Sequence, residues 1–306
     1  MWTYALRRLL AAIPTLLAVI TVCYLLLHLT PGGPFDSEHK LSETVLANLQ
    51  AKYHLNEPLW KQYLLYLNSL LHGDLGASFR YEDWSVNDLV AKAFPISAAI
   101  GGGSLLIALV VGVALGTLAA LKQNSALDYF TMLLSSIGSV FPSFVIGPML
   151  ILVFAIWFKL APSGGWDAFS PRYMILPMAL LVFINVATIA RVMRGSMIEV
   201  LSSNFIRTAR AKGLPLRTLV LRHAMKPALL PVVSLIGPLA ISSITAAVVT
   251  ESVFSLPGLG KLIVNGASNR DYTLVLGLVV LITVVTVVFN LLVDLAYALL
   301  DPKIRY

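Results

Sequence analysis

Between residues 191 and 226 the chain carries Arg191, Arg194, Arg207, Arg210, Lys212, Arg217, Arg222 and Lys226 against one acid, Glu199. Such a segment does its work by binding, to a protein surface or to anionic lipid headgroups. Its centre reads Asn204, Phe205, Ile206, Arg207, Thr208, Ala209, Arg210, Ala211, Lys212, Gly213. This pattern predicts a short helix capped by Ser203 or Asn204. Phe205, Ile206 and Ala209 share an apolar face, and Arg207, Arg210 and Lys212 occupy the rest. Gly213 is a natural helix stop, and Pro215 opens the next helix. Docking of a cytoplasmic partner and binding to lipid both fit these residues.

A second group of polar residues sits inside apolar runs. Ser139, Ser143, Asn185, Thr188, Ser242 and Thr245 are interleaved with Pro142, Pro148, Pro177, Pro231 and Pro238. A lone membrane hydroxyl commonly bonds to its own preceding turn. As a group, with prolines that permit bending, they are the candidate wall of a polar path. Glu251 closes the fifth apolar run. A carboxylate costs about 2–3 kcal/mol at mid-bilayer and less toward the interface. It has two readings, contact with cargo at the outer mouth or acceptance of backbone N–H bonds from the 255–262 turn, and the second is preferred. Asp294, near Asn290, reads as a packing or interfacial residue.

Other chemistries lack their residues. The five histidines show no ligand spacing, so no metal site is expected. Cys23 alone forms no internal disulfide. Gly258, Gly260 and Lys261 superficially resemble a phosphate loop, but Ser255 and Leu262 stand where the pattern needs a glycine and a Ser or Thr. A turn is expected there, with no nucleotide site of the chain's own. An intramembrane enzyme needs a nucleophile and base in register, and Cys23 and His28, five apart on one helix, do not face each other. An ion-coupled transporter would show a mid-span carboxylate and inverted repeats, and neither is visible.

The elements that position these residues follow from charge spacing. Of 306 residues, 58% are hydrophobic and 12% charged. Six windows free of Asp, Glu, Lys and Arg approach or exceed span length: 9–35, 93–121, 129–158, 173–190, 227–250 and 272–293. A span needs about 20 apolar residues at ~1.5 Å each. The expected fold is therefore all-α, a polytopic membrane protein of six transmembrane helices in a single domain over 1–306. The first run is read as an uncleaved anchor, since no small-residue cleavage site follows it. An external loop of about 32–94 is expected to hold one helix in 41–55 and a second ending at Gly73, split by Pro58. Its aromatic residues Trp60, Tyr63, Tyr66, Phe79, Tyr81 and Trp84 are expected at the interface. Gly112 and Gly116, four apart, predict close helix packing.

Net charge is +7. Thirteen of the 22 cations, including Arg7, Arg8, Lys122, the 191–226 loop, Lys303 and Arg305, fall on one side of six spans. That side is cytoplasmic, with both termini. The cations flank membrane segments and no groove-reading motif is present, so no nucleic-acid partner is expected.

The 204–213 segment resembles the loop that inner-membrane permease subunits of ATP-binding-cassette importers present to their ATPases. The family pattern is Glu-Ala-Ala, three residues, then Gly. Gly213 and Ala209 match it, and Arg207 and Thr208 replace the Glu and first Ala, as is typical of peptide permeases. Residues 73–78 (Gly-Asp-Leu-Gly-Ala-Ser), Glu251 to Phe254, Pro257 to Gly260, Asn269 to Tyr272 and the 301–306 tail are similar, in that order, to the B-type subunits of oligopeptide permeases. The resemblance implies a non-catalytic permease subunit in the inner membrane that carries oligopeptides, or else dipeptides, nickel or other small cargo. It implies a homologous second permease subunit, two cytoplasmic ATPases that hold ATP and Mg, and an external peptide-binding protein. It also implies that 204–213 is a coupling helix within a coupling loop of about 191–226.

Overall fold

The computed structural model describes residues 2–29, 56–81 and 83–300. The helix expected at 41–55 and the tail at 301–306 lie outside them. Eleven α-helices follow in order among the described residues: α1 Trp2–Leu29, α2 Leu59–Leu71, α3 Val86–Leu121, α4 Ala126–Val140, α5 Ser143–Leu150, α6 Pro171–Ser202, α7 Asn204–Ala211, α8 Leu216–Thr218, α9 Met225–Val253, α10 Leu259–Ser268 and α11 Tyr272–Leu300. Two π-helical stretches, Ile151–Trp157 and Leu219–Ala224, extend α5 and join α8 to α9. The described β-structure is one isolated bridge, Ala77 to Ser85.

Helix starts follow their caps. Ser85 accepts from the Asp88 N–H while Asp88 reaches back to the Ser85 N–H, a reciprocal box that opens α3. Ser125 accepts from the Asp128 N–H at the start of α4. Pro58 precedes α2, and Gly73 with φ +75° follows it, as the external-loop reading anticipates.

α3 and α6 pack most closely, through small residues. A Cβ at Gly112 would lie 2.7 Å from Ile189 Cγ2, and one at Gly116 would lie 2.6 Å from the Ala190 carbonyl oxygen. A Cβ at Gly103 would sit 2.8 Å from Met178. The pairs 103–178, 112–189 and 116–190 advance together, so α3 and α6 run parallel. The chain between them must therefore return the length of the bundle. It does so antiparallel to α6, through Asp128 with Arg194, Ser135 with Arg191, Gly138 with Ala187 and Gly147 with Leu180. The third window is thus one traverse, but not one straight helix. α4 and the α5 segment meet at a bend of 111°. The reason is local: Phe141 is extended at φ −81°, ψ 126°, the conformation favoured before a proline, and Pro142 follows.

Five further helices are long and apolar enough to cross a membrane, at 10–29, 86–121, 171–202, 216–240 and 272–293. α6 departs from the expectation in length. Its apolar window ends at Ala190, yet the helix continues to Ser202. Arg191 and Arg194 consequently belong to a span end and not to a loop. Their side chains are taken up by α4, which the charge pattern alone does not disclose.

The core has two parts. Met193, Met197, Ile206, Leu219, Val220 and Ala224 are buried together at the α7 end. Ile100, Leu180, Leu181, Phe254 and Leu256 form a second cluster toward the opposite end. Leu106, Val110, Phe130, Val140 and Leu292 are exposed, as expected of a lipid-facing belt. Tyr63 and Tyr66 depart from the expected interfacial role and pack toward α1, with Tyr63 hydroxyl 2.6 Å from Thr21 Oγ1.

Gly116→Leu places side-chain carbon against backbone and should cost at least the roughly 1–3 kcal/mol of ordinary overpacking. Gly102→Ala meets nothing within 4 Å and should leave the unfolding midpoint unchanged or raised. Thermal unfolding of the two variants in detergent checks the contrast.

Candidate functional site

α7 is built to expose one side and bury the other. Ile206 is 0% exposed, wedged among Met193 and Met197 of α6 and Leu219, Val220 and Ala224 of the π turn. Ala209 is half-buried beside it. Asn204, Arg207, Thr208, Arg210, Ala211, Lys212 and Gly213 are exposed. Phe205 is also exposed, at 51%, which corrects its expected place on one face with Ile206 and Ala209. An eight-residue helix gives two turns of pattern, and burying Ile206 and Ala209 rotates Phe205 outward. Ser203 is the N-cap residue, but its hydroxyl turns back to the Val200 carbonyl at 2.6 Å and caps nothing.

The stop is where the sequence places it. Gly213 adopts φ +79°, its N–H bonds the Arg210 carbonyl, and the Leu214 N–H bonds the Ala209 carbonyl. This crossed pair satisfies the last carbonyls of α7 through a left-handed glycine. The chain then re-enters the bundle from Pro215 through α8 and the π turn into α9.

The cations of the loop divide in two. Arg194 grips Asp128 through Nε to Oδ1 and Nη2 to Oδ2, the latter at 2.7 Å. Arg191 donates to the Ser135 carbonyl at 2.9 Å. Both therefore tie α6 to α4. Arg207, Arg210, Lys212, Arg217 and Arg222 remain exposed around α7 and α8, with Phe205 an apolar centre among them. The surface suits a partner with acidic residues around an apolar socket.

The candidate path residues do not converge. Ser139 donates to Ser135, Thr188 to Ile184 and Ser242 to Leu239, each within its own helix. Ser143 is half-buried at the first position of α5. Thr245 lies on α9, and its side chain, like that of Asp294, is outside the description. Asn185 is the exception. It is buried, and its Nδ2 donates to Ser243 Oγ at 3.1 Å across the α6–α9 contact.

Glu251 lies at the other end of α9, 0% exposed. Its Oε1 accepts the Ser97 hydroxyl at 2.5 Å, and its Oε2 accepts the Gly260 and Lys261 N–H groups at 2.7 and 3.3 Å. The carboxylate therefore sits at the N-terminus of α10, where unpaired N–H groups and the helix dipole favour it. Ser97 Oγ in turn accepts the Leu259 N–H at 2.9 Å. The two glycines of the Pro257–Gly260 turn have a steric origin. A Cβ at Gly258 would lie 2.2 Å from the Glu251 carboxyl carbon, and one at Gly260 would lie 2.3 Å from Val248 Cα. Sequence reasoning missed Ser97, which no local signal marks. A cavity of about 130 Å³ adjoins this bracket, lined by Ser97, Gly101, Gly102, Ser243, Glu251 and Phe289 among others.

A second buried carboxylate organises the same end. Asp271 accepts the Ser78 hydroxyl, the Phe79 N–H at 3.2 Å and the Leu274 N–H at 3.1 Å. It thereby caps α11 and pins the 73–79 loop to it.

Glu251→Ala would strand two backbone donors and one hydroxyl, a loss on the order of 3 kcal/mol or more, whereas Glu251→Gln keeps an acceptor and should lose less. Thermal unfolding and limited proteolysis at α10 check this order.

Residues 112–306 match the family described as binding-protein-dependent transport system inner membrane component. The chain is 55% identical over its full length, and that of its relative, to the oligopeptide transport system permease protein OppB of Haemophilus influenzae. It is 54% identical, again over both full lengths, to OppB of Escherichia coli strain K12. It is 41% identical to the dipeptide transport system permease protein DppB of Bacillus subtilis, covering 99% of this chain and 97% of that one. Among solved structures, the MetNI methionine ABC transporter in inward-facing conformations aligns with TM-score 0.60 at 16% identity, over 70% of this chain and 96% of the other. That last likeness concerns the fold alone. With the family matched over most of the chain and relatives matched from end to end, this chain belongs to the inner membrane components of binding-protein-dependent transport systems.

Proposed function

We propose that this chain is the permease subunit of an ATP-binding-cassette importer that carries oligopeptides across the cytoplasmic membrane. The similarity to proteins named for oligopeptide transport supports the cargo class, above the more distant relative named for dipeptides. The chain does no covalent chemistry in this reading. A homologous permease subunit shares the pathway, and an external binding protein delivers peptide. Two cytoplasmic ATPases bind ATP and Mg. Both termini, the end of α6 from Arg191 and the 203–226 segment lie on the cytoplasmic side, toward which the positive charge is biased.

One observation carries the mechanism: α7 is exposed except along the side where Ile206, with the half-buried Ala209, enters the core. Phe205 and Arg210 meet the ATPase. Asn204, Arg207, Thr208, Ala211 and Lys212 complete the contact, and Gly213 ends it. Ile206 fits between α6 and the π turn leading to α9, so a displacement of α7 acts on both spans. ATP provides the drive by binding one state of the assembly better than the other. Of the polar candidates for the peptide path, Ser139, Ser143, Asn185, Thr188, Ser242 and Thr245, the support is strongest for Asn185, whose side chain reaches across to α9, while Glu251 holds the Pro257–Gly260 turn in shape.

Arg210→Glu combined with Phe205→Ala should lower peptide uptake by at least about tenfold, equivalent to ~1.4 kcal/mol of contact free energy. The ATPase then runs without peptide control, and the unfolding midpoint stays unchanged. Gly213→Val meets no neighbour within 4 Å, yet it forces a branched residue to φ +79° and should act similarly. Uptake and ATP hydrolysis in proteoliposomes measure both. Undiminished uptake by the double variant would overturn the assignment of α7.

A further inference from the structure

At the bundle end opposite α7, a cavity of about 370 Å³ opens between α1, α2, the 73–79 loop and the start of α11. Five rings, of Tyr24, His28, Tyr66, Phe79 and Tyr272, line it. Tyr24 stacks on His28 at 4.0 Å between ring centres and on Tyr66 at 6.3 Å, and His28 leans on Tyr272 at 5.6 Å. Tyr24 is 4% exposed. Its hydroxyl oxygen and that of Tyr66 are both buried without a hydrogen-bond partner. Neighbouring Tyr63 is satisfied by Thr21, so the two unpartnered phenols are not a general feature of this seam.

The polar groups here lean one way. Burial, with a smaller contribution from Cys23, pushes the Tyr66 phenol up, so it is a neutral hydroxyl at physiological pH. His28 Nδ1 lies 2.8 Å from the Tyr24 carbonyl and spends its proton there, which leaves Nε2 as an acceptor in the neutral ring. Asp74 stands exposed at the rim and uses Oδ1 for the Gly76 N–H. Among the described residues no lysine or arginine lines the cavity. Ring faces, lone pairs and a single fixed negative charge attract an organic cation and repel a phosphate.

We infer that this cavity is a binding site for a primary ammonium group, held over the Tyr24, His28 and Tyr66 rings and steered by Asp74. The inference rests on the permease reading for its setting, the face at which cargo arrives. Two sources carry this chemistry there, the amino terminus of a peptide and an ethanolamine headgroup. The lining rings and the Asp74 carboxylate replace the water that an ammonium sheds on entering.

The test uses the assembled importer with Tyr66 replaced by 3-fluorotyrosine, in phosphatidylglycerol nanodiscs. Propylammonium should produce a saturable fluorine shift, and Asp74→Asn should weaken it about fivefold, equivalent to the ~1 kcal/mol of attraction that an exposed charge exerts at the dielectric of water. A shift with trialanine but not N-acetyl-trialanine identifies the peptide terminus as the source. A shift on adding phosphatidylethanolamine instead identifies the lipid. Absence of a saturable shift with all of these probes overturns the site, as does a shift that neither Asp74→Asn nor Tyr24→Phe alters. Trialanine uptake by the same importer moved into sealed phosphatidylglycerol proteoliposomes separates the two claims. Intact uptake with no shift removes the site alone, and no uptake by the unaltered importer removes the permease reading.

Discussion

The contact between α3 and α6 sets the rest of the bundle. Gly112 and Gly116 let two long helices approach until a methyl group would strike backbone. In lipid, where apolar side chains gain little by leaving their solvent, such close packing is a main source of helix association. Because the paired helices are parallel, the 122–170 segment must climb back across the bundle. That obligation fixes the place of α4 and α5, although their sequence tolerates a sharp break. The bend at Phe141 and Pro142 is held at both ends. Asp128 on Arg194 fastens the start of α4, and Gly147 against Leu180 and Val253 fastens α5.

Much of this was legible from residues alone, and the remainder shows where the limits of sequence reading lie. Span positions follow from windows without charge, because each ionised group at membrane depth is costly. The small-residue pair on α3 and the glycine stop of α7 are local patterns with local causes, and both were readable. The Arg194–Asp128 pair was not, since 66 residues separate the partners and only the register of α4 on α6 brings them together. For the same reason Arg191 and Arg194 read as loop cations. A helix can carry arginine past its apolar window when a neighbour offers a carboxylate and a carbonyl.

The polar candidates divide along a similar line. Residue type flagged Ser139, Thr188 and Ser242, yet each hydroxyl is absorbed by its own preceding turn. Asn185 cannot bond its own helix so readily and reaches Ser243 on α9 instead. Glu251 was visible as an expensive residue. Its partner Ser97 was invisible, because a serine near the start of a span has no distinguishing neighbours. Phe205 teaches the converse. Its apolar character groups it with Ile206 and Ala209, but in a helix of two turns the side that turns inward is chosen by whichever residue finds a pocket, here Ile206.

The two ends of α9 are built differently, and the difference bears on how motion would pass through it. At its C-terminal end Glu251 locks α9 to α10 through two hydrogen bonds and to α3 through a third, from Ser97, with no room at Gly258 or Gly260 for adjustment. At its other end α9 begins in a π-helical turn, Leu219–Ala224, whose hydrogen-bond pattern departs from that of the helix it feeds. π turns recur at functional positions because a small shift of register there changes the helix direction at low cost. Ile206 of α7 rests directly on that turn. A load on α7 therefore meets the adaptable end of α9 first, while the far end stays clamped to α10 and, through Ser97, to α3. In the proposed importer α9 would then act as a lever hinged near the load.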